Sequence, residues 1–184
     1  MTDQNEYGEI NQAVPALPDR AGEGWLSTLL GHNIRIRTHG RETDNQVTII
    51  ECIEQPHSPP PVFTRHEFVE IFYIRSGMLT FQFLDKEAFQ APAETVITVP
   101  GWKPHAFWND TSDPALVTLV CSPAGLDRFF EASHALLQRR PPDTADRDEM
   151  AAEMKALRDE YGLEHVGPAP VVKVPIQNEY GESM

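Results

Sequence analysis

The stretch Pro59-Pro-Pro-Val-Phe-Thr-Arg-His-Glu-Phe-Val-Glu-Ile-Phe-Tyr-Ile-Arg-Ser-Gly77 reads as one strand, a tight reversal, and a second strand closing on Ser76-Gly77. In its second half Glu70, Phe72 and Ile74 share one face, while Ile71, Tyr73 and Arg75 share the other. A carboxylate aligned with two apolar side chains is uncommon, because Glu is seldom buried unless it is paired or coordinates a cation. Either Glu70 has a polar partner inside a pocket, or its face is exposed. A second stretch, Thr95-Val-Ile-Thr-Val-Pro-Gly-Trp-Lys-Pro-His-Ala-Phe-Trp-Asn109, again reads strand, turn, strand around Pro100-Gly101. It places His105 and Phe107 on one face, with Ala106 and Trp108 on the other. Two hairpins, one directing Glu70 inward and one directing His105 inward, are parts of a barrel interior.

The rest of the chain is consistent with one domain of that kind. Its 184 residues give room for a proper core. A net charge of -13, with no basic cluster, argues against nucleic acid or an anionic membrane as partner. The polar, acidic N-terminus has no apolar segment of the secretory kind, and no run reaches the length of a membrane span, so a cytoplasmic location is expected. Cys52 and Cys121 lie in strand-like runs without metal spacing and read as buried free thiols.

In order, residues 1–20 read as a flexible arm, 21–124 as the barrel, 125–162 as helices packed on it, and 163–184 as an extended tail. Gly22 to Leu30 is expected as a short helix, Ile34 to Thr38 and Val47 to Ile53 as strands, and Gly40 to Asn45 as a polar turn. Leu79 to Leu84 is the return strand of the first hairpin, and Ala115 to Cys121 a strand covered on both sides. From Leu126 the period becomes helical through Arg139. Pro141-Pro142 breaks it, and a second helix runs from about Asp143 or Thr144 to Gly162. Gln4-Asn-Glu-Tyr-Gly-Glu9 recurs as Gln177-Asn-Glu-Tyr-Gly-Glu182, too distant and too terminal for a solenoid repeat.

The two quoted stretches resemble the paired motifs of the cupin superfamily, with the closest likeness to single-domain cupins of the quercetin 2,3-dioxygenase type. In that family the first motif carries His-x-His, three or four residues, Glu, six residues and Gly, and Glu70 to Gly77 fits it. The second carries Pro, a short turn, His and often Asn, as in Pro100, His105 and Asn109. The resemblance covers roughly residues 33 to 130. It implies an all-β fold, a double-stranded antiparallel β-barrel or jelly roll with a central pocket, and a homodimer. The first metal motif is degenerate. One register puts Phe63 and Arg65 at the His-x-His positions and leaves no divalent-metal set; the other puts Thr64 and His66 there and leaves His66, Glu70 and His105 as ligands. The Pro60-Pro61 lead-in favours the first.

Each register has its chemistry. With Arg65 beside Glu70, a permanent cation stands near the family's metal position, and Glu70, His105 and Arg65 become the catalytic residues of a cofactor-independent isomerase, cyclase or lyase. With His66, Glu70 and His105, two imidazoles and a carboxylate suit Fe, Mn, Ni, Cu or Zn and a quercetinase-type dioxygenase. Phe63, Phe72, Phe81, Phe83, Trp102, Phe107 and Asn109 are the candidate substrate contacts, for a hydrophobic phenolic or polyketide-like molecule. The plainer readings are a structural Arg65–Glu70 pair, aromatics that only fill the core, and a binding protein without chemistry. His32, His39, His57, His134 and His165 read as surface histidines.

Overall fold

Alternation of apolar and polar side chains builds most of the chain, seen here in a computed structural model that describes residues 24–29, 31–141 and 146–169. Eleven strands form among those residues: β1 (Leu26–Ser27), β2 (Asn33–Thr38), β3 (Thr48–Glu54), β4 (Thr64–Arg65), β5 (Val69–Ser76), β6 (Met78–Phe83), β7 (Phe89–Pro92), β8 (Val96–Val99), β9 (His105–Trp108), β10 (Ala115–Ser122) and β11 (Glu164–His165). They assemble into two antiparallel sheets, β1-β2-β3-β10-β5-β8 and β11-β4-β9-β6-β7. Two helices follow, α1 (Leu126–Arg139) and α2 (Arg147–Glu160). The fold is the jelly roll expected. No helix among the described residues is long and apolar enough to cross a membrane.

The core lies between the sheets and is filled by the inward row of each strand. Ile50 on β3, Leu119 on β10 and Phe72 on β5 stand opposite one another in register and are buried, as are Ile34, Ile74, Leu79 and Phe81. Full burial of such a side chain contributes roughly 1.5–3 kcal/mol. A second apolar cluster forms at Phe63, Ala106 and Trp108, with Val166 packed against it. Leu136, Leu137, Met150 and Met154 join the two helices. The Asp146 carboxylate starts α2 by accepting from the backbone amides of Asp148 and Glu149.

Two expectations about local structure are corrected. Of the stretch expected as a helix from Gly22 to Leu30, Leu26–Ser27 is a strand paired with Ile34 and Asn33 of β2. Trp25 there lies under the Arg35 guanidinium, 4.7 Å from its ring centre, so the apolar edge is used in a sheet corner. Glu164 and His165, at the start of the segment expected as a tail, pair with Arg65 and Thr64. Neither quoted stretch is a hairpin. Strand β4 lies in one sheet and β5 in the other, and β8 and β9 are divided in the same way. Both turns are corners where the chain crosses between sheets, which alternation along a single strand cannot reveal. The arm and the repeated hexapeptides lie outside the described residues.

Candidate metal centre and cavity

The two corners touch. Trp102 donates its backbone N–H to the His66 carbonyl oxygen at 2.6 Å. A Cβ on Gly101 would stand 2.2 Å from the Glu67 carbonyl oxygen, so only glycine permits this approach. Residue 66 leaves the first corner and residue 105 leaves the second, so the contact sets their side chains facing each other. Thr64 and His105 are register partners on β4 and β9. Glu70, two residues into β5 and opposite Cys121 and Val99, projects between them.

The result is a buried group. Nε2 of His66 lies 2.9 Å from Glu70 Oε2, and Nε2 of His105 lies 2.8 Å from the same oxygen. The three residues are 2 %, 4 % and 4 % exposed. One ligand atom from each falls within 4.8 Å of the others. Nδ1 of His66 is 2.9 Å from the Phe68 carbonyl and Nδ1 of His105 is 3.0 Å from the Lys103 carbonyl. Carbonyls only accept, so both Nδ1 atoms carry their protons. Each neutral ring then presents an Nε2 lone pair to a carboxylate oxygen. Three acceptors converge on one place, and that arrangement requires a cation: a proton on an imidazole, or a metal ion. The donor set fits a divalent transition metal, and the backbone carbonyls behind the rings fix their tautomers as outer partners of ligating histidines do.

Electrostatics agree with a proton in that place when metal is absent. Burial pushes the Glu70 carboxyl up, but hydrogen bonds from His105 and His66 and their charge outweigh it and hold it at about 2. Burial pushes His105 down, yet the bond to Glu70 and its negative charge leave it raised overall. The Cys121 thiol, 4.0 Å from Glu70 Oε1, is pushed well up by burial and then by Glu70, so it is no nucleophile at neutral pH.

This group lines a cavity of about 490 Å³ whose other walls include Ile50, Phe72, Phe107 and Leu119 from the sheets and Phe129 and Phe130 from α1. That volume is of the size that holds a small molecule. Of the residues expected to touch a substrate, Phe72 and Phe107 line it. The others are placed elsewhere. Phe81 is fully buried behind His105, its ring parallel to the imidazole at 5.9 Å, and Phe83 packs on Phe81. Phe63 belongs to the separate cluster with Ala106 and Trp108. Trp102 is 52 % exposed, and it is its backbone that ties the corners. Asn109 is buried and bonds the backbone carbonyls of Glu54 and Asp113.

The structure also corrects Arg65. Its guanidinium pairs with Glu164 at 2.6 Å on the surface, on the opposite side of β4 from Thr64, and does not meet Glu70. Of the two registers, it is the one with Thr64 and His66 that brings an imidazole together with Glu70 and His105. The lead-in misleads because three prolines in a row do not fix where the following strand begins. His32 was missed as a surface residue: it is 8 % exposed and lines the same cavity beside Glu54. The available signal was Glu54 itself, in the inward row of β3 with Thr48, Ile50 and Cys52.

Comparison with known proteins agrees with this fold. The cupin domain family (Cupin_2) matches residues 51–121, which takes in both motifs, and supports the cupin superfamily for that segment. No curated protein matches the chain. Among solved structures it is similar to the polyketide cyclase RemF from Streptomyces resistomycificus, at 15 % identity and TM-score 0.45, over 50 % of this chain and 64 % of that one. It is similar to a cupin-like protein from Thermotoga maritima at 13 % identity and TM-score 0.44, over 56 % and 75 %. A sugar phosphate isomerase of the cupin superfamily from Silicibacter pomeroyi aligns at 17 % identity and TM-score 0.44, over 51 % and 60 %. The alignment with the cyclase thus takes in less than two thirds of that protein, and the activities named are those of the proteins compared.

Proposed function

We propose that this chain is a small-molecule enzyme whose reacting centre is His66, Glu70 and His105, holding one divalent transition metal at the wall of an apolar cavity. The observation that carries the reading is the convergence of three buried acceptor atoms, two imidazole and one carboxylate, within 4.8 Å. When bound, such a metal polarises a carbonyl or enol oxygen of the substrate or, if redox-active, supports chemistry with dioxygen. The protein's own part is to hold the two imidazoles as Nδ1–H tautomers against the Phe68 and Lys103 carbonyls. It also keeps Glu70 ionised despite burial. Phe72 and Phe107 offer ring edges and faces to a flat apolar substrate and exclude water from the centre. The substrate class is an aromatic or polyketide-like molecule. The reaction class is proton transfer next to a carbonyl, as in isomerisation, cyclisation or elimination, with quercetinase-type oxygenation as the redox branch.

A second reading rests on the raised His105 and depressed Glu70. Without metal, the pair is an imidazolium and a carboxylate sharing a proton in a closed site, which is a general acid and base in waiting. One experiment separates the two. The protein is produced with Fe, Mn, Ni, Cu and Zn supplied in turn, and the metal content of wild type, His66→Ala, Glu70→Ala and Arg65→Ala is measured. Near-stoichiometric metal that is lost in the first two variants and kept in the third supports the metal centre. Absence of metal under every condition leaves the acid/base pair.

A further inference from the structure

The cavity has a second polar group, in which Glu54 is again the carboxylate. Glu54 is 2 % exposed, and both of its oxygens are engaged. Oε1 accepts from the Cys52 thiol at 2.9 Å, and Oε2 lies 3.0 Å from His32 Nδ1. The Gln55 amide nitrogen lies 3.3 Å from the same ring nitrogen. Asn109 holds the Glu54 backbone carbonyl at 3.2 Å. Burial, and then Glu54, push the Cys52 thiol well up, so it stays a donor to the carboxylate. His32, Cys52 and Glu54 all line the cavity. Every polar atom of this group has a protein partner among the described residues except His32 Nε2.

The register shows how far this group stands from the metal centre. Glu70 is in line with Cys121 and Thr48, whereas Glu54 is in line with Ala115, six residues further along β3. At about 3.3 Å per residue the two rows are roughly 20 Å apart along the strands. Between them lies the apolar row of Ile50, Leu119 and Phe72. The cavity wall therefore carries two polar groups with an apolar row between them.

We propose that His32, held by Glu54, whose other oxygen is held by Cys52, is a second binding pole that takes a hydroxyl group of the substrate on the part of the cavity wall remote from His66, Glu70 and His105. A hydroxyl is the matching group because it donates and accepts, and so pairs with Nε2 whichever tautomer the ring adopts. Glu54 is a positioning residue, which fixes the ring through Nδ1. The ligand class follows: an apolar, ring-bearing molecule with a hydroxyl at the end opposite the reacting group. This inference rests on the cavity being the substrate site.

The test uses a pair of probes of matched size, 2-naphthol and 2-methylnaphthalene, titrated into purified full-length wild type, His32→Phe, Glu54→Gln and Glu70→Gln. Wild type and Glu70→Gln are expected to bind the naphthol about five- to tenfold more tightly, the worth of one neutral hydrogen bond. His32→Phe removes that preference and keeps the affinity for 2-methylnaphthalene, and Glu54→Gln reduces the preference. Long-range ¹H–¹⁵N spectra of the unmutated protein cover the case of a variant that does not fold: the His32 Nε2 resonance moves with the naphthol and not with its methyl analogue. Equal affinities in wild type, a preference that survives His32→Phe, or an unmoved Nε2 overturns the proposal. Failure of the metal centre looks different, as absent metal with the naphthol preference intact. Binding of neither probe overturns both the pole and the cavity as substrate site.

Discussion

Replacing Glu70 by Gln removes a charge from the buried group without removing volume, so it isolates the electrostatic contribution. The carboxyl is lowered from 4.5 to about 2 in the folded chain. At ~1.4 kcal/mol per pH unit this corresponds to about 3 kcal/mol of stability at neutral pH. The sign follows from the depressed value: the stabilisation is complete above 4.5 and is lost as pH falls toward about 2. The size agrees with the ~3–5 kcal/mol cost of breaking a buried pair. For a chain of this length, ~2–4 °C per kcal/mol makes the loss about 6–12 °C in Tm. Thermal unfolding of metal-free wild type and Glu70→Gln at pH 7, repeated down to about pH 3, measures it. The wild-type advantage should shrink on acidification to somewhat under half of its neutral value at about pH 3. Metal affinity should fall by more than the ~10–100-fold typical of losing an outer partner, because a ligand itself is lost. Equal Tm values at pH 7 together with unchanged metal affinity would refute both the ion pair and the metal centre.

Four further outcomes follow from the same structure. Arg65→Ala breaks only an exposed pair with Glu164, so titration calorimetry should find metal affinity unchanged and stability lower by at most ~1 kcal/mol. A large loss of metal would return Arg65 to the site. Metal and proton compete for His105 Nε2, whose pKa is raised above 6.5. Zinc affinity should therefore climb with pH between about pH 5.5 and 8, with proton release seen by calorimetry in buffers of different ionisation enthalpy; a flat profile contradicts this. Phe72→Ala empties a site that is 1 % exposed and should cost about 3–5 kcal/mol in urea unfolding. Gly101→Ala drives a Cβ to 2.2 Å from the Glu67 carbonyl oxygen. It should separate the corners and weaken metal binding more than any substitution at Trp102, whose ring is exposed; equal metal affinity for Gly101→Ala and wild type would show that the contact does not position the ligands.

The two sets of residues differ in how legible they were. Strand positions and inward rows were readable, because a period of two needs only local sequence. Thus Glu70 with Phe72 and Ile74, and His105 with Phe107, were found on their correct faces. The α1 and α2 stripes were found for the same reason at a period of 3.6. Glu54 carries the same signal as Glu70, a buried carboxylate on the inward face of its strand, but as the last residue of β3 it has no following residue to extend the alternation.

What the sequence determined by itself was the kind of layer each segment enters and which side chains turn inward, since both follow from backbone periodicity and from the cost of burying charge. What the tertiary structure decided was which segments meet. The choice between Arg65 and His66 depended on a corner where the chain changes sheets, and at such a corner the alternation on one side says nothing about the phase on the other. Arg65 turned outward to Glu164, 99 residues away in the chain, while His66 turned inward because Gly101 let the second corner close on the first. Those contacts are distant in sequence, and their energies exist only once the two sheets are packed.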